Sequence, residues 1–381
     1  MSVSDVLITH EPVLNRQKAI TANRLLVHAP NSEAAMEALC AIGDAWPIAR
    51  TVFLGLAGCR PDAALASWQV PENALIEIPA SDIADPDSVD LMQSLAKAGV
   101  PLCLSGYAEG GIAAPAGTNF RFVLADAKLA PTAVRVPGIL IAQNLADLAA
   151  FDSALAAGYG GGVGWFFKRG QPPSKKLQSA HAQIVRVLNL VRRGAEVREV
   201  ENALKQDVAL SFRLLRYINS AGFGLRCEVQ SFRHAVTILG YDKLNKWLSL
   251  LLVTASKDPT APALMQAAIT RGRFMELMGA AYFEREEFDN LFITGAFSLL
   301  DRLLGSTMAT VLEGMTLPEP ICDALLGRGG PYTALLELAR ACEADNRSAL
   351  QAALGGLQAD PLAVNRNQLL ALQFADTLQF H

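Results

Sequence analysis

The stretch that most constrains this chain runs from Gln206 to Ser256 and reads QDVALSFRLLRYINSAGFGLRCEVQSFRHAVTILGYDKLNKWLSLLLVTAS. Its apolar residues recur at three- and four-residue spacing, and stop signals interrupt them at short intervals. Asp207 is placed to cap a first helix whose buried stripe is Val208, Phe212, Leu215 and Ile218. Gly222 and Gly224 end it, because glycine reaches the positive φ of a helix C-terminus without steric cost. Ser231 is the next cap, Phe232, Ala235, Val236 and Leu239 are the next stripe, and Gly240 is the next stop. From Asp242 a third helix carries Leu244, Trp247, Leu248, Leu251 and Leu252. Connections this short force neighbouring helices to pack antiparallel or steeply crossed around one core. The chain must contain a helical bundle.

A different pattern precedes it. Short apolar runs at 25–29, 51–57, 74–80, 101–106, 121–127 and 138–143 alternate with helical patterns at Ser32 to Cys40, Asp87 to Ala98 and Ala146 to Ala157. Strands this continuously apolar, alternating with helices, predict a parallel sheet or barrel covered on both faces. Roughly 165 residues are available, whereas a full eight-fold barrel takes about 250. The barrel is expected to be trimmed or open. GYGGGVGWFFKRGQPPSKK (158–176) closes this half with five glycines in seven positions. It lacks both the GxGxxG and the GxxxxGK[ST] spacing of phosphate loops, so a flexible barrel-closing turn is expected. Pro172 and Pro173 then interrupt the chain. The predicted organisation is an α/β barrel domain over 1–170, a linker over 171–179 and an all-α bundle over 180–381.

Beyond the linker, Leu177, Ile184, Val187, Leu188 and Val191 form one stripe leading into Val200 and Leu204, and long helices are expected at about 261–283 and 288–305. At 381 residues, 51% hydrophobic and 18% charged, the chain is suited to two large buried cores. A formal net charge of -4 argues against nucleic acid as the default partner. Lys168, Arg169, Lys175, Lys176, Arg186, Arg192, Arg193 and Arg198 cluster around the linker and read as a solvated basic segment. Cys40, Cys59, Cys103, Cys227, Cys322 and Cys342 form no CxxC pair, so buried free thiols are expected. MSVSDVLITHEPVL lacks a basic leader and an apolar core, and the run from Trp247 to Ala255 is too short to span a bilayer. A cytoplasmic protein is expected.

The residues themselves carry a resemblance. DVALSFRLLRYINSAGFG followed by SFRHAVTILGYDKLNKWLSLLL resembles the core of the HDOD domain, a helical relative of the HD phosphohydrolases. LFITGAFSLLDRLLGSTMATVLEGMTLP and ALLGRGGPYTALLELARACE are similar to the C-terminal half of HDOD proteins that carry an EAL-like domain in front. The first half accordingly resembles the EAL fold, the barrel whose intact members cleave cyclic di-GMP with two metal ions. Aligned motif by motif, the family's signature glutamate falls on Arg24 of N-R-L-L-V-H, and the asparagine of its second strand on Gly55. Its E-x-x-E strand keeps Glu77 and has Ala80 for the second acid. The D-D-F triplet becomes Ser105, Gly106 and Tyr107. The lysine of K-x-D is Leu124, although Asp126 remains. A-E-x-V-E becomes A-Q-N-L-A, with Gln143 and Ala146 for both acids, and the final Q-G reads Val163-Gly164.

None of His10, His28, His181, His234 and His381 is followed by aspartate, so the dipeptide that binds metal in the HD hydrolases is missing. His10-Glu11 is not followed by the second histidine of a metalloprotease helix, and no G-x-S-x-G elbow occurs. No catalytic, cofactor-binding or metal-ligating residue is therefore assigned, and no cofactor is expected. Glu77 and Asp126 are expected to pair with Arg24 or other cations in the barrel mouth. The resemblance implies a non-enzymatic bacterial signal-transduction or scaffold protein with a degenerate EAL-like domain, working through protein partners of unknown identity and with a homodimer open. The alternatives are a sensor of cyclic di-GMP or another nucleotide, and a residual metal-dependent phosphodiesterase.

Overall fold

A computed structural model of the chain describes residues 6–107, 114–169, 179–205, 240–241, 244–246, 248–249, 260–343 and 346–377. Contacts divide it into two units, one comprising 1–170 and 340–370, the other 171–339 and 371–381.

The first unit is a closed eight-stranded barrel in sequential order. Its strands are β1 (Leu7–Asn15), β2 (Ile20–His28), β3 (Thr51–Ala57), β4 (Ala74–Pro79), β5 (Leu102–Tyr107), β6 (Phe120–Asp126), β7 (Ile139–Gln143) and β8 (Gly161–Val163). All neighbours from β2 to β8 are parallel, whereas β1 runs antiparallel to both β2 and β8. The sequence pattern locates six strands and misses the two that close the ring. β1 hides behind its mid-strand Pro12, an unusual strand residue because it cannot donate to a ladder. β8 hides in the glycine run expected to be a turn. Those glycines are steric necessities: a Cβ on Gly161 would lie 2.3 Å from the Leu14 carbonyl oxygen, and one on Gly162 would lie 2.6 Å from Leu145 and 2.7 Å from Phe151.

Trimming happens in the connections. Helices α1 (Ser32–Ala41), α2 (Pro86–Lys97) and α3 (Leu148–Ala157) remain, each with an acidic or amide residue at its N-cap. Asn31, Asp85 and Asp147 accept from the backbone N–H groups of Ala34, Ser88 and Ala150, satisfying donors that a helix start leaves open. One-turn helices at Ala63–Ser67 and Pro131–Ala133 stand between β3 and β4 and between β6 and β7.

Residues 340–370, which the sequence pattern groups with the helical half, belong by contact with the barrel. Lys168 pairs with Glu343 and Arg366 with Asp44. The Asn365 side chain hydrogen-bonds Ile8 N–H and the Val6 carbonyl at 2.9 and 2.8 Å.

In the second unit the described helices are α4 (Ser179–Arg192), α5 (Val197–Lys205), α6 (Ala261–Gly279), α7 (Phe288–Phe297), α8 (Leu300–Leu304), α9 (Met308–Glu313), α10 (Glu319–Leu326) and α11 (Thr333–Cys342), the last continuing into the first unit. In the first unit α12 (Arg347–Leu357) follows, and α13 (Pro361–Thr377), assigned to the first unit up to Leu370 and to the second from Ala371, ends the described chain. Of the expected stripe, Leu177 lies outside the described residues, and Ile184, Val187, Leu188, Val191, Val200 and Leu204 are at most 2% exposed. The expected helix 288–305 is two, broken at Ser298. Helices α6 and α7 meet so closely that a Cβ on Gly295 would sit 2.6 Å from the Gly272 nitrogen. Most of 206–256 lies outside the described residues, including Leu215, His234 and Trp247. Within it Leu244 and Leu248 are fully buried and Gly240 takes a φ of 73°. The described cysteines are free, but only Cys103 and Cys342 are buried. Cys59 and Cys322 are partly exposed and Cys40 is exposed.

Candidate functional site

Alternation along the strands builds the barrel interior in layers. One layer takes a side chain from every strand: Val13, Ala22, Phe53, Leu75, Cys103, Leu124, Ile141 and Val163. Moving two residues along each strand toward the C-terminal end of β2 to β7 gives the next layer. Its members are Arg24, Gly55, Glu77, Ser105, Asp126 and Gln143, joined from antiparallel β1 by Glu11. Barrel enzymes carry their chemistry at this end. The motif positions Arg24, Gly55, Glu77, Ser105, Asp126 and Gln143 are thus brought together, whereas Leu124 and Val163 sit one layer down, in the apolar core. Ala80 is buried in a turn after β4, and Ala146 is exposed beyond β7.

The centre of this layer is an ion-pair network. The Arg24 guanidinium donates to both oxygens of Glu77, Nε to Oε1 at 2.8 Å and Nη2 to Oε2 at 2.9 Å. Its remaining Nη1 donates to Glu11 Oε2 at 2.9 Å. Glu11 stands directly opposite Arg24 in the β1–β2 register. Glu77 reaches from β4 across β3, where Gly55 leaves the space: a Cβ there would lie 2.9 Å from both Glu77 Oε2 and Leu26 Cδ2. Glu77 is 2% exposed, against 15% for Arg24 and 18% for Glu11. Burial alone would lower the Arg24 pKa, but the two carboxylates outweigh it and hold the guanidinium above its ordinary value. Burial, reinforced by the Glu77 charge, pushes the neighbouring Cys103 thiol well up and keeps it protonated.

Glu77 therefore pairs with Arg24 as expected. Among the described residues Asp126 makes no ion pair. It accepts from the Asn144 amide at 3.0 Å and from Lys128 N–H at 2.8 Å, and these bonds hold its carboxyl below the usual range. Asn144 makes this contact from a left-handed backbone, φ 58°. Glu11 is the member of the site that the sequence motifs do not reveal. Its signal is positional: on an antiparallel strand the mouth residue lies two positions before the core residue Val13.

The segment after β8 is likewise structural. Trp165 donates its indole N–H to the His10 carbonyl at 3.0 Å. Lys168, expected to be solvated, lies 3.5 Å from the Trp165 ring centroid and pairs with the buried Glu343. Arg169 donates to the Leu145 and Ala146 carbonyls. Farther along, Arg193 pairs with Glu199, and burial lowers the Arg192 guanidinium to about 10 while it donates to the Thr316 carbonyl.

A catalytic metal pair, which the EAL resemblance implies, does not fit this donor set. Hard cations need several converging oxygens, and both Glu77 oxygens are already bound to a guanidinium. Among the described residues no group of three or more His, Cys, Asp or Glu side chains is arranged to hold a metal ion.

Comparison with known proteins bears on the helical half first: the family model for the HDOD domain matches residues 177–302. Residues 177–302 form an HDOD domain. In the chain, the closed eight-stranded barrel precedes this HDOD domain. It is 30% identical over 192 residues to the cyclic di-GMP phosphodiesterase CdgJ of Vibrio cholerae, an alignment covering 49% of this chain and 44% of that protein. The chain thus spans less than half the length of that relative. Among solved structures it is similar to the EAL domain of FimX from Pseudomonas aeruginosa, determined with c-di-GMP bound. That match has 14% identity and a TM-score of 0.30, and covers 43% of this chain and 90% of that one. An HDOD domain protein from Geobacter sulfurreducens matches at 16% identity with a TM-score of 0.35, covering 50% of this chain and 88% of that one. Among the described residues no helix is long and apolar enough to cross a membrane.

Proposed function

We propose that this chain is a non-catalytic member of the cyclic di-GMP-related signalling proteins, in which a degenerate EAL-like barrel and an HDOD domain act through contacts with other proteins. The observation that carries this reading is the Arg24 guanidinium, bound through three hydrogen bonds between Glu77 and Glu11 at the place where barrel enzymes assemble their chemistry. A two-metal hydrolase must hold two cations near the scissile phosphate and generate hydroxide from bound water. Here one fixed, organic cation has both oxygens of the most buried carboxylate. At about 4 Å a like charge repels a second cation by ~1 kcal/mol per unit charge even in bulk water, and by several-fold more in a cleft.

The name of the Vibrio cholerae relative favours a second reading, a residual phosphodiesterase. Turnover of cyclic di-GMP with Mg²⁺ or Mn²⁺ separates the two, measured on the native protein, Glu77→Ala and Arg24→Glu. No metal-dependent turnover is expected from any of them, because Arg24→Glu still lacks acids at positions 80, 105, 106, 143 and 146. Metal-dependent turnover by the native protein, abolished in Glu77→Ala, would overturn the non-catalytic reading.

A further inference from the structure

Strand β8 is three residues long and pairs with β1 only at Val13–Asn15. Among the described residues the upper part of β1 therefore has no strand beside it on that edge, and its backbone groups must be satisfied otherwise. They are, at two-residue intervals. The Pro12 carbonyl accepts from Gly164 N–H at 3.0 Å and the His10 carbonyl from the Trp165 indole at 3.0 Å. The Ile8 carbonyl accepts from the Gln368 amide at 2.9 Å, and the Val6 carbonyl from the Asn365 amide at 2.8 Å. Ile8 N–H donates back to Asn365 Oδ1 at 2.9 Å. Gln368 Oε1 also lies 2.6 Å from His10 Nδ1. Asn365 and Gln368 are three apart on α13, hence on one face, and are 0% and 1% exposed. Two carboxamides thus stand where a longer β8 would run.

We propose that residues 361–370 are an edge guard, covering Val6 and the start of β1 (Leu7–His10), a stretch that otherwise pairs with the same stretch of a second copy of this chain. An uncovered edge of unpaired N–H and C=O groups is a template for strand addition. This edge is self-complementary: a two-fold axis at Ile8 sets Val6 against His10 and Ile8 against itself in an antiparallel ladder. Val, Leu, Ile, Thr and His supply no acidic or lysine charge to oppose that pairing. Pro12, with no N–H to give, keeps the ladder from continuing past Glu11.

The full-length chain tests this with Asn365→Ala and with Asn365→Ala/Gln368→Ala, read by amide hydrogen exchange of the β1 peptide and by sedimentation over a range of concentrations. The expected result at low concentration is exchange faster by on the order of tenfold at Ile8, whose N–H donates to Asn365, with Leu25–Val27 still protected. At high concentration the mass doubles relative to the native protein and protection of Ile8 returns. Unchanged exchange in the single variant, should the double variant fail to fold, overturns the guard. Faster exchange with no gain in mass, or association accompanied by loss of protection throughout the barrel, overturns the self-pairing.

Discussion

Replacing Arg24 by methionine isolates the ion pair at the barrel mouth. The substitution removes three hydrogen bonds of 2.8, 2.9 and 2.9 Å and leaves Glu77 buried at 2% exposure with its charge uncompensated. Breaking a buried pair by deleting one partner costs about 3–5 kcal/mol. Glu11, at 18% exposed, can rehydrate and adds no more than about 1 kcal/mol. Pairing Arg24→Met with Glu77→Leu removes both buried charges, so the double variant should lie within about 2 kcal/mol of the native protein. The difference between the sum of the single effects and the double effect then gives a coupling of at least ~2 kcal/mol. Three of the four tryptophans, Trp46, Trp68 and Trp165, lie in the barrel unit, so denaturant unfolding followed by fluorescence reports mainly on it. An Arg24→Met midpoint shift worth under ~0.5 kcal/mol, or strictly additive effects, would refute the network.

Gly55→Ala should cost about 1–3 kcal/mol, because its Cβ meets Glu77 and Leu26 at 2.9 Å, and the cost should shrink in the Arg24→Met/Glu77→Leu background where the carboxylate is gone; fluorescence-monitored denaturation reads both. Leu248→Ala, at a fully buried position of the HDOD domain, should cost about 2–5 kcal/mol, measured by loss of helical circular dichroism. Burial raises the Asp301 carboxyl above its ordinary value despite Arg302 and Arg271 nearby. An acid raised in the folded state contributes stability below its unfolded value of about 3.9 that is lost as pH rises through the folded one. Asp301→Asn should therefore flatten the decline in stability from about pH 4 upward, seen in helical denaturation midpoints between acidic and neutral pH.

What the sequence made legible followed from how local its causes are. Ser32–Ala41, Pro86–Lys97 and Leu148–Ala157 announce themselves because an N-capping Asn or Asp precedes an apolar period of three to four. The parallel strands from β2 to β7 read clearly because both their faces are buried. β1 and β8 fail that test for physical reasons that lie elsewhere in the fold. Pro12 survives in β1 because the partner beside it is a single backbone N–H from Gly164 that needs only its carbonyl. The glycines of β8 register the side chains of Leu145 and Phe151 and the Leu14 backbone, none of them adjacent in sequence. The return of 340–370 to the barrel had no local signal either, since Asn365 and Gln368 look like ordinary surface amides on a helix. Their role appears only once Val6 and Ile8 are seen to have no strand on that side among the described residues.

The mouth of the barrel shows why its residues are best read together and not one by one. Taken singly, arginine at 24 and glycine at 55 look like two independent departures from the EAL pattern. In the structure they are one arrangement. A guanidinium on β2 reaches a carboxylate on β4 only by passing over β3, and the position it passes is Gly55, where even a single Cβ would crowd the Glu77 oxygen. Glu11, opposite Arg24 in the register, then takes the donor that Glu77 leaves over. Every N–H-bearing nitrogen of the guanidinium has a carboxylate oxygen, which is the condition under which a charge at this depth is tolerated. The result is a satisfied and closed network rather than a metal site missing some of its ligands. Single substitutions toward the EAL pattern at positions 24 or 55 would therefore first disrupt this network.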